Sequence, residues 1–307
     1  MADSQVLPAH SKAVIFLRRT ASTLLLWCLV TSVFISHYTW AFLALMGGLG
    51  ILATIEFYRM LRASGVVCFP RFGMLLGVCY SLVIYWQLHQ GNREVSFAID
   101  AAAIFISIAG AFTLQLGYPI RGHESLVAVA ANVLGFLYVP FLFNFLARLS
   151  FMVPEVNSIQ GRVGDSGAFT LLWLLAVTKF ADMGAYIIGS MMGRHKMIPH
   201  VSPGKTWEGF GGALLFSQLA GCGLYALFPV QLAFFHAWGH VVFLSLLLAV
   251  LAVIGDLAES VVKRALDAKD SGKMLPGIGG SLDLIDSICF TAPALYFYIR
   301  WILLPHP

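Results

Sequence analysis

Nine separate stretches of this chain are apolar for long enough to cross a lipid bilayer, and no other feature restricts its fold as strongly. A helix needs about 20 predominantly apolar residues to traverse the hydrocarbon core. The stretches run approximately over Thr20–Ser36, Tyr38–Glu56, Phe72–His89, Ser96–Gln115, Ser125–Leu146, Gly167–Met192, Gly209–Val230, Trp238–Gly255 and Leu284–Leu304. Lipid offers no hydrogen-bond partners, so a spanning segment must satisfy its backbone internally, as a helix or a closed barrel. Barrel strands would alternate apolar and polar residues, and these runs do not. Composition agrees: 59% of the residues are hydrophobic and 11% charged, against roughly 45–50% and 25% in soluble domains. A soluble protein and a disordered chain are both excluded. The expected fold is all-α, a polytopic membrane bundle of about nine transmembrane helices.

Basic residues orient the bundle. Lys12, Arg18 and Arg19 precede the first span, whose end (Ile35-Ser36-His37-Tyr38) lacks a small-residue cleavage site, so it reads as a retained anchor. With the N-terminus cytoplasmic, the inner segments hold Lys12, Arg18, Arg19, Arg59, Arg62, Arg71, Arg121, Arg194, Lys196, Lys205, Lys263, Arg264, Lys269 and Lys273. The outer segments hold Arg93, Arg148, Arg162 and Arg300, and Lys179 lies within a span. Cytoplasmic loops carry an excess of Lys and Arg, which supports this orientation. Cys28, Cys68, Cys79, Cys222 and Cys289 are scattered singly, suggesting neither a zinc site nor a disulfide framework. The division expected is one integrated membrane domain: residues 1–166 (spans one to five) as scaffold, residues 167–307 (spans six to nine) carrying the cytoplasmic loops where chemistry is to be sought.

Charge is sparse, and it gathers between Asp256 and Asp283. If the eighth helix continues into the cytoplasm, Asp256, Ser260, Lys263 and Asp267 fall along one face. A carboxylate, a hydroxyl and a cation stacked in this way suit a divalent metal beside a phosphate, since magnesium takes few carboxylates and leaves positions to water and phosphate. A merely solvated helical extension accounts for the same residues. Next, Gly277, Gly279 and Gly280 allow a tight turn offering N–H groups to an anion, just before a helix N-terminus. Asp283 and Asp286, three residues apart, enter that helix, and a carboxylate sinking into an apolar run is functional by default.

A third segment, Gly193 to Gly209, holds Ser202, Lys205, Thr206 and Glu208. Its Gly-Lys-Thr is not a phosphate-binding P-loop, because Pro199 stands where the first glycine belongs and no strand precedes it. It reads as a cytoplasmic loop suited to nucleotide or lipid headgroups. Within the spans, Lys179 and Asp182 are spaced to neutralise one another, with Tyr186 one turn further. Asp100 reads as a snorkelling or helix-capping residue.

At these residues the chain resembles the phosphatidate cytidylyltransferases, the CDP-diacylglycerol synthases. The run Ser260-x-x-Lys263-Arg264-x4-Lys269-Asp270-x-Gly272-x-x-Leu275-Pro276-x-x-Gly279-Gly280-x-x-Asp283-x-x-Asp286 is similar to the family's signature. Ala181-Asp182-x-Gly184-Ala185-Tyr186 and Val201-Ser202-Pro203-Gly204-Lys205-Thr206-Trp207-Glu208-Gly209 match its other motifs in order. The resemblance extends from about Thr178 to the C-terminus. Ile278, Ser281 and Leu284 depart from it, standing where the family usually has a histidine, an apolar residue and an arginine.

The resemblance implies a magnesium-dependent transfer from CTP to phosphatidate, giving CDP-diacylglycerol and pyrophosphate. It implies Asp256, Asp283 and Asp286 around Mg2+, with room for a second cation, monovalent or divalent. Lys263, Arg264, Lys269 and Asp270 are then the expected catalytic residues. Asp182, Ser202, Lys205, Thr206, Glu208, Ser260, Gly279 and Gly280 are expected to bind substrate. The expected partners are CTP, phosphatidate, membrane lipids and a second copy of the chain, with no nucleic acid. The expected location is a bacterial-type inner membrane with the site facing the cytoplasm. Two other readings stand beside it: a CTP-dependent polyprenol-type lipid kinase, and an ion- or proton-coupled transporter with Asp100, Lys179 and Asp182 as relay.

Overall fold

The computed structural model describes residues 28–30, 32–33, 36, 38–90, 95–153, 165–268, 271–272 and 279–304. Among these residues, eight helices are long and apolar enough to cross a membrane. The first expected span, Thr20–Ser36, lies for the most part outside the described residues.

The helices are α1 (Thr39–Ala63), α2 (Pro70–His89), α3 (Phe97–Gln115), α4 (His123–Phe136), α5 (Leu142–Met152), α6 (Asp165–Met192), α7 (Trp207–Leu227), α8 (Trp238–Ala265) and α9 (Ser281–Tyr298). A π-helical turn, Leu137–Phe141, joins α4 to α5 as one span, and a second, Ile299–Leu303, extends α9. Local chemistry sets several boundaries. Pro70, whose missing N–H is no loss in a first turn, opens α2. Ser96 caps α3 by accepting from the Ala98 N–H at 3.3 Å, and Thr206 caps α7 by accepting from the Gly209 N–H at 3.1 Å. Pro140 lies within the π turn. Its ring cannot sit in an unmodified helix, and the wider turn absorbs it.

The last span is the spine of the bundle: 67% of its most apolar window is buried, against α8, α5, α1 and α6. At the periphery, α3 buries only 22% of its window and turns Phe97, Phe105 and Phe112 outward. One apolar cluster runs from Phe42 of α1 to Leu303. Polar pairs pin the helices together. Asn132 accepts from the Phe69 N–H at 2.7 Å, and Trp173 donates to the Gly221 carbonyl at 3.0 Å. Such bonds contribute about 0.6–2 kcal/mol each in membranes.

Three expectations are corrected. Asp100 neither snorkels nor caps: it is buried in a bidentate pair with Arg148, at 2.6 and 2.9 Å, and accepts from the Tyr80 hydroxyl at 2.8 Å. The cap is Ser96, and Arg148 lies inside the fifth span, which reaches Met152, instead of in an outer loop. Asp267 does not share the face of Asp256, because α8 ends at Ala265 and Asp267 turns away at φ 52°. The loop after α6 contains a small antiparallel hairpin, β1 (Lys196–Ile198) with β2 (Ser202–Thr206), a local exception in a helical fold.

Candidate active site

Close helix approach builds the site. A Cβ on Gly184 of α6 would lie 2.4 Å from the Gly212 carbonyl of α7, and one on Gly212 equally close to that of Gly184. Only glycine at both positions lets these backbones touch. On α8, a Cβ at Gly255 would sit 2.8 Å from the Asp286 carbonyl and 2.9 Å from the Ser287 Cα. Gly255 therefore presses α8 against α9 one residue before Asp256, which brings the acidic residues of the two helices together.

The result is a carboxylate cluster. Asp256, Glu259 and Asp286 each offer an oxygen within 4.8 Å of the others. Glu259 and Asp286 are buried, and Asp256 is half-buried. Glu259 Oε1 is enclosed with no hydrogen-bond partner among the described residues. A buried carboxylate oxygen without a donor is costly, and a hard divalent cation is the partner its chemistry fits. Asp286 Oδ1 accepts from the N–H and hydroxyl of Ser287, at 2.5 and 3.1 Å. The Ser287 hydroxyl also reaches Asp182 Oδ2 at 3.5 Å, and Asp182 pairs with Lys179 at 3.4 Å.

Asp283 lines the same cavity as Asp256 and Asp286 but is held by other partners. Its Oδ1 pairs with Lys263 Nζ at 2.8 Å, and its Oδ2 accepts from the Gly280 N–H at 2.9 Å. Lys263 also reaches Glu259 Oε2 at 2.5 Å, so one ammonium joins the two acids. Gly279 takes φ 120°, a conformation reserved for glycine, as the chain enters α9.

Above the cluster opens a cavity of about 460 Å³ lined by Asp182, Tyr186, Ser202, Gly204, Lys205, Thr206, Asp256, Asp283, Asp286 and Ser287, among others. The hairpin forms one wall and places Lys205 Nζ on Asp256 Oδ2. Glu208 does not line it. Glu208 accepts from the N–H groups of Arg194 and His195 and pairs with His195 Nδ1 at 2.6 Å, fastening the hairpin to α7. Arg264 Nε donates to the Val201 carbonyl at 3.5 Å, tying the end of α8 to the hairpin. Ser260, Lys263, Gly279 and Gly280 do not line the cavity, and Lys263 meets the cluster through Glu259. Lys269, Asp270 and Ile278 lie outside the described residues.

Sequence reasoning missed Glu259 and Glu56. Glu259 follows Asp256 by three residues, the same spacing that drew attention to Asp283 and Asp286. Glu56 is a carboxylate at the end of an apolar run, fully buried here.

Comparison with known proteins adds the wider context. At 33% identity over 252 residues, the chain is similar to the uncharacterized protein YnbB of Escherichia coli (strain K12), with 81% of this chain and 79% of YnbB covered. It is 33% identical over 239 residues to the phosphatidate cytidylyltransferase of Helicobacter pylori (strain ATCC 700392 / 26695), covering 72% of this chain and 86% of that protein. With the phosphatidate cytidylyltransferase of Bacillus subtilis (strain 168) the identity is 28% over 260 residues, covering 84% and 88%. The model of the cytidylyltransferase family matches residues 17–302, and so takes in the N-terminal half, where the motifs are silent. The chain is an integral membrane protein and belongs to the cytidylyltransferase family.

Proposed function

We propose that this protein is a CTP:phosphatidate cytidylyltransferase, forming CDP-diacylglycerol and pyrophosphate. The observation that carries the reading is the joining of a carboxylate cluster and a lysine-bearing hairpin across one cavity, in a chain of this family. An anionic oxygen of the lipid phosphate attacks the α-phosphorus of CTP. The bond from that phosphorus to the bridging oxygen breaks, and pyrophosphate leaves with the electron pair. Transfers of this kind need positioning and charge neutralisation more than covalent catalysis.

Asp256, Glu259 and Asp286 would hold Mg2+, with Asp283 supporting through Lys263. When bound, Mg2+ neutralises phosphate charge and orients oxygens. Lys205 exchanges Asp256 for a phosphate as substrate enters, and Ser202 and Thr206 line the same wall. Lys263, Arg264, Lys269 and Asp270 complete the electrostatic surroundings, and Asp182 with Ser260, Gly279 and Gly280 shapes the binding surface. Glu208 serves binding indirectly, through the hairpin. The site opens to the cytoplasm at an inner membrane, a placement that rests on the distribution of basic residues. A second cation, a homodimer and the division into an N-terminal scaffold and a C-terminal catalytic half belong to the same reading, supported by the family resemblance.

Isotope position tests it against a lipid kinase. With purified protein in phosphatidate vesicles, label from α-32P CTP should enter lipid and label from γ-32P CTP should leave as pyrophosphate. Entry of the γ label into lipid, with phosphatidate or polyprenol supplied, would replace the reading with a kinase.

A further inference from the structure

We infer that Glu56, on α1, is a positioning residue that sets the height and rotation of α9 and so aims Asp286 at the cluster. The inference rests on the assignment of Asp256, Glu259 and Asp286 to the metal. Glu56 is completely buried. Its Oε2 accepts from the Ser281 hydroxyl at 2.9 Å and from the Leu282 N–H at 3.0 Å. Ser281 and Leu282 are the first two residues of α9, so Glu56 satisfies a backbone donor that the helix itself cannot. A carboxylate at a helix N-terminus is also favoured by the helix dipole.

The surroundings are shaped to this carboxylate. A Cβ on Gly280 would lie 2.8 Å from Glu56 Oε2, and one on Gly272 only 2.3 Å from Oε1. The segments before α9 thus pass against Glu56 at positions without side chains. Asp283, two residues after Ser281, caps Gly280 from within the same turn, and Asp286 follows three residues later. Gly255 leaves no slack between α8 and α9, so an axial shift of α9 moves Asp286 against Asp256 and Glu259. Misplacement by about 1 Å suffices to cost about 10²-fold in rate. A buried carboxylate in a membrane span is retained for function, and this one reaches the site from the half of the chain that carries none of the recognised motifs.

Mn2+ binding, followed by electron paramagnetic resonance on purified protein, tests this without relying on turnover. Loss of a group that orients metal ligands typically weakens binding about 10–100-fold. Glu56→Ala and Glu56→Asp (too short to reach Ser281) should both show that loss, with kcat reduced and KM for CTP little changed. Glu56→Gln keeps an oxygen acceptor of the same reach and should restore binding to within about threefold of wild type. Ser281→Ala removes one of the two bonds and should fall between, which keeps the test open if Glu56→Ala does not fold. Wild-type Mn2+ affinity in Ser281→Ala, or in a folded Glu56→Ala, alongside lost affinity in Asp286→Asn, would overturn the role of Glu56 alone. Equal losses in Glu56→Gln and Glu56→Ala would overturn positioning through the hydrogen bonds. Undiminished binding in Asp286→Asn would remove the metal assignment and this inference with it.

Discussion

Glu259 is pulled in two directions: one oxygen holds Lys263, and the other is enclosed beside Asp256 and Asp286 with no donor among the described residues. A cation at the proposed site would resolve that conflict. Glu259→Gln keeps the shape and removes the charge, so turnover should fall by about 10²-fold or more, the effect of several kcal/mol of lost charge stabilisation. If Asp256 and Glu259 serve one centre as proposed, Asp256→Asn with Glu259→Gln should be little worse than the worse single change in steady-state kinetics. Histidine is not needed as a base. A phosphate monoester already carries about −1.5 to −2 charge near neutral pH, and His195 is occupied with Glu208. His195→Gln and His200→Gln should keep kcat within about tenfold, short of the 10²–10⁴-fold that loss of a general base costs; a hundredfold fall in either would restore a basic histidine to the mechanism. At this scale spacing drew attention to Asp256 and Asp286 separately, and the fold brings them together with Glu259. It failed for Asp100, whose partner Arg148 is 48 positions away.

Helices meet here through glycine, and that pattern was only partly readable from the chain. Gly212 is the contact that α6 and Gly184 require, and no hydrophobic run marks it. Gly255 looked like the end of a span, yet α8 continues to Ala265. Hydrophobic runs locate helices but say nothing about which backbones touch. Gly255→Leu should therefore abolish activity at full protein yield by parting Asp256 from Asp286, and normal kcat in that variant would mean α8 and α9 tolerate separation. The Asp100–Arg148 pair belongs to the same scale, because it ties α3 to α5. Removing one member of a buried pair typically costs about 3–5 kcal/mol. Arg148→Met should lower Tm in detergent markedly, and Asp100→Asn added to it should recover part of the loss. Additive losses in that cycle would show the two residues act independently.

For the whole molecule, the apolar runs were enough to predict a helical membrane bundle, since no soluble fold could cover such a chain. They did not reveal that α1 reaches the site through Glu56, because a lone carboxylate at a span's end carries no periodic signal. The proposed sidedness rests on the basic residues. Single cysteines at Lys196 and Lys273, in a background lacking the five native cysteines, should resist impermeant thiol reagents applied outside intact cells. Efficient external labelling at either would reverse the orientation. The most direct measurement combines chemistry and site: CDP-diacylglycerol formation from CTP, Mg2+ and phosphatidate by purified wild-type protein, beside Asp286→Asn at matched Tm. Wild type should release one pyrophosphate per CDP-diacylglycerol, and Asp286→Asn should be slower by about 10²-fold or more. No product from wild type, or equal rates in the two proteins, would contradict the account.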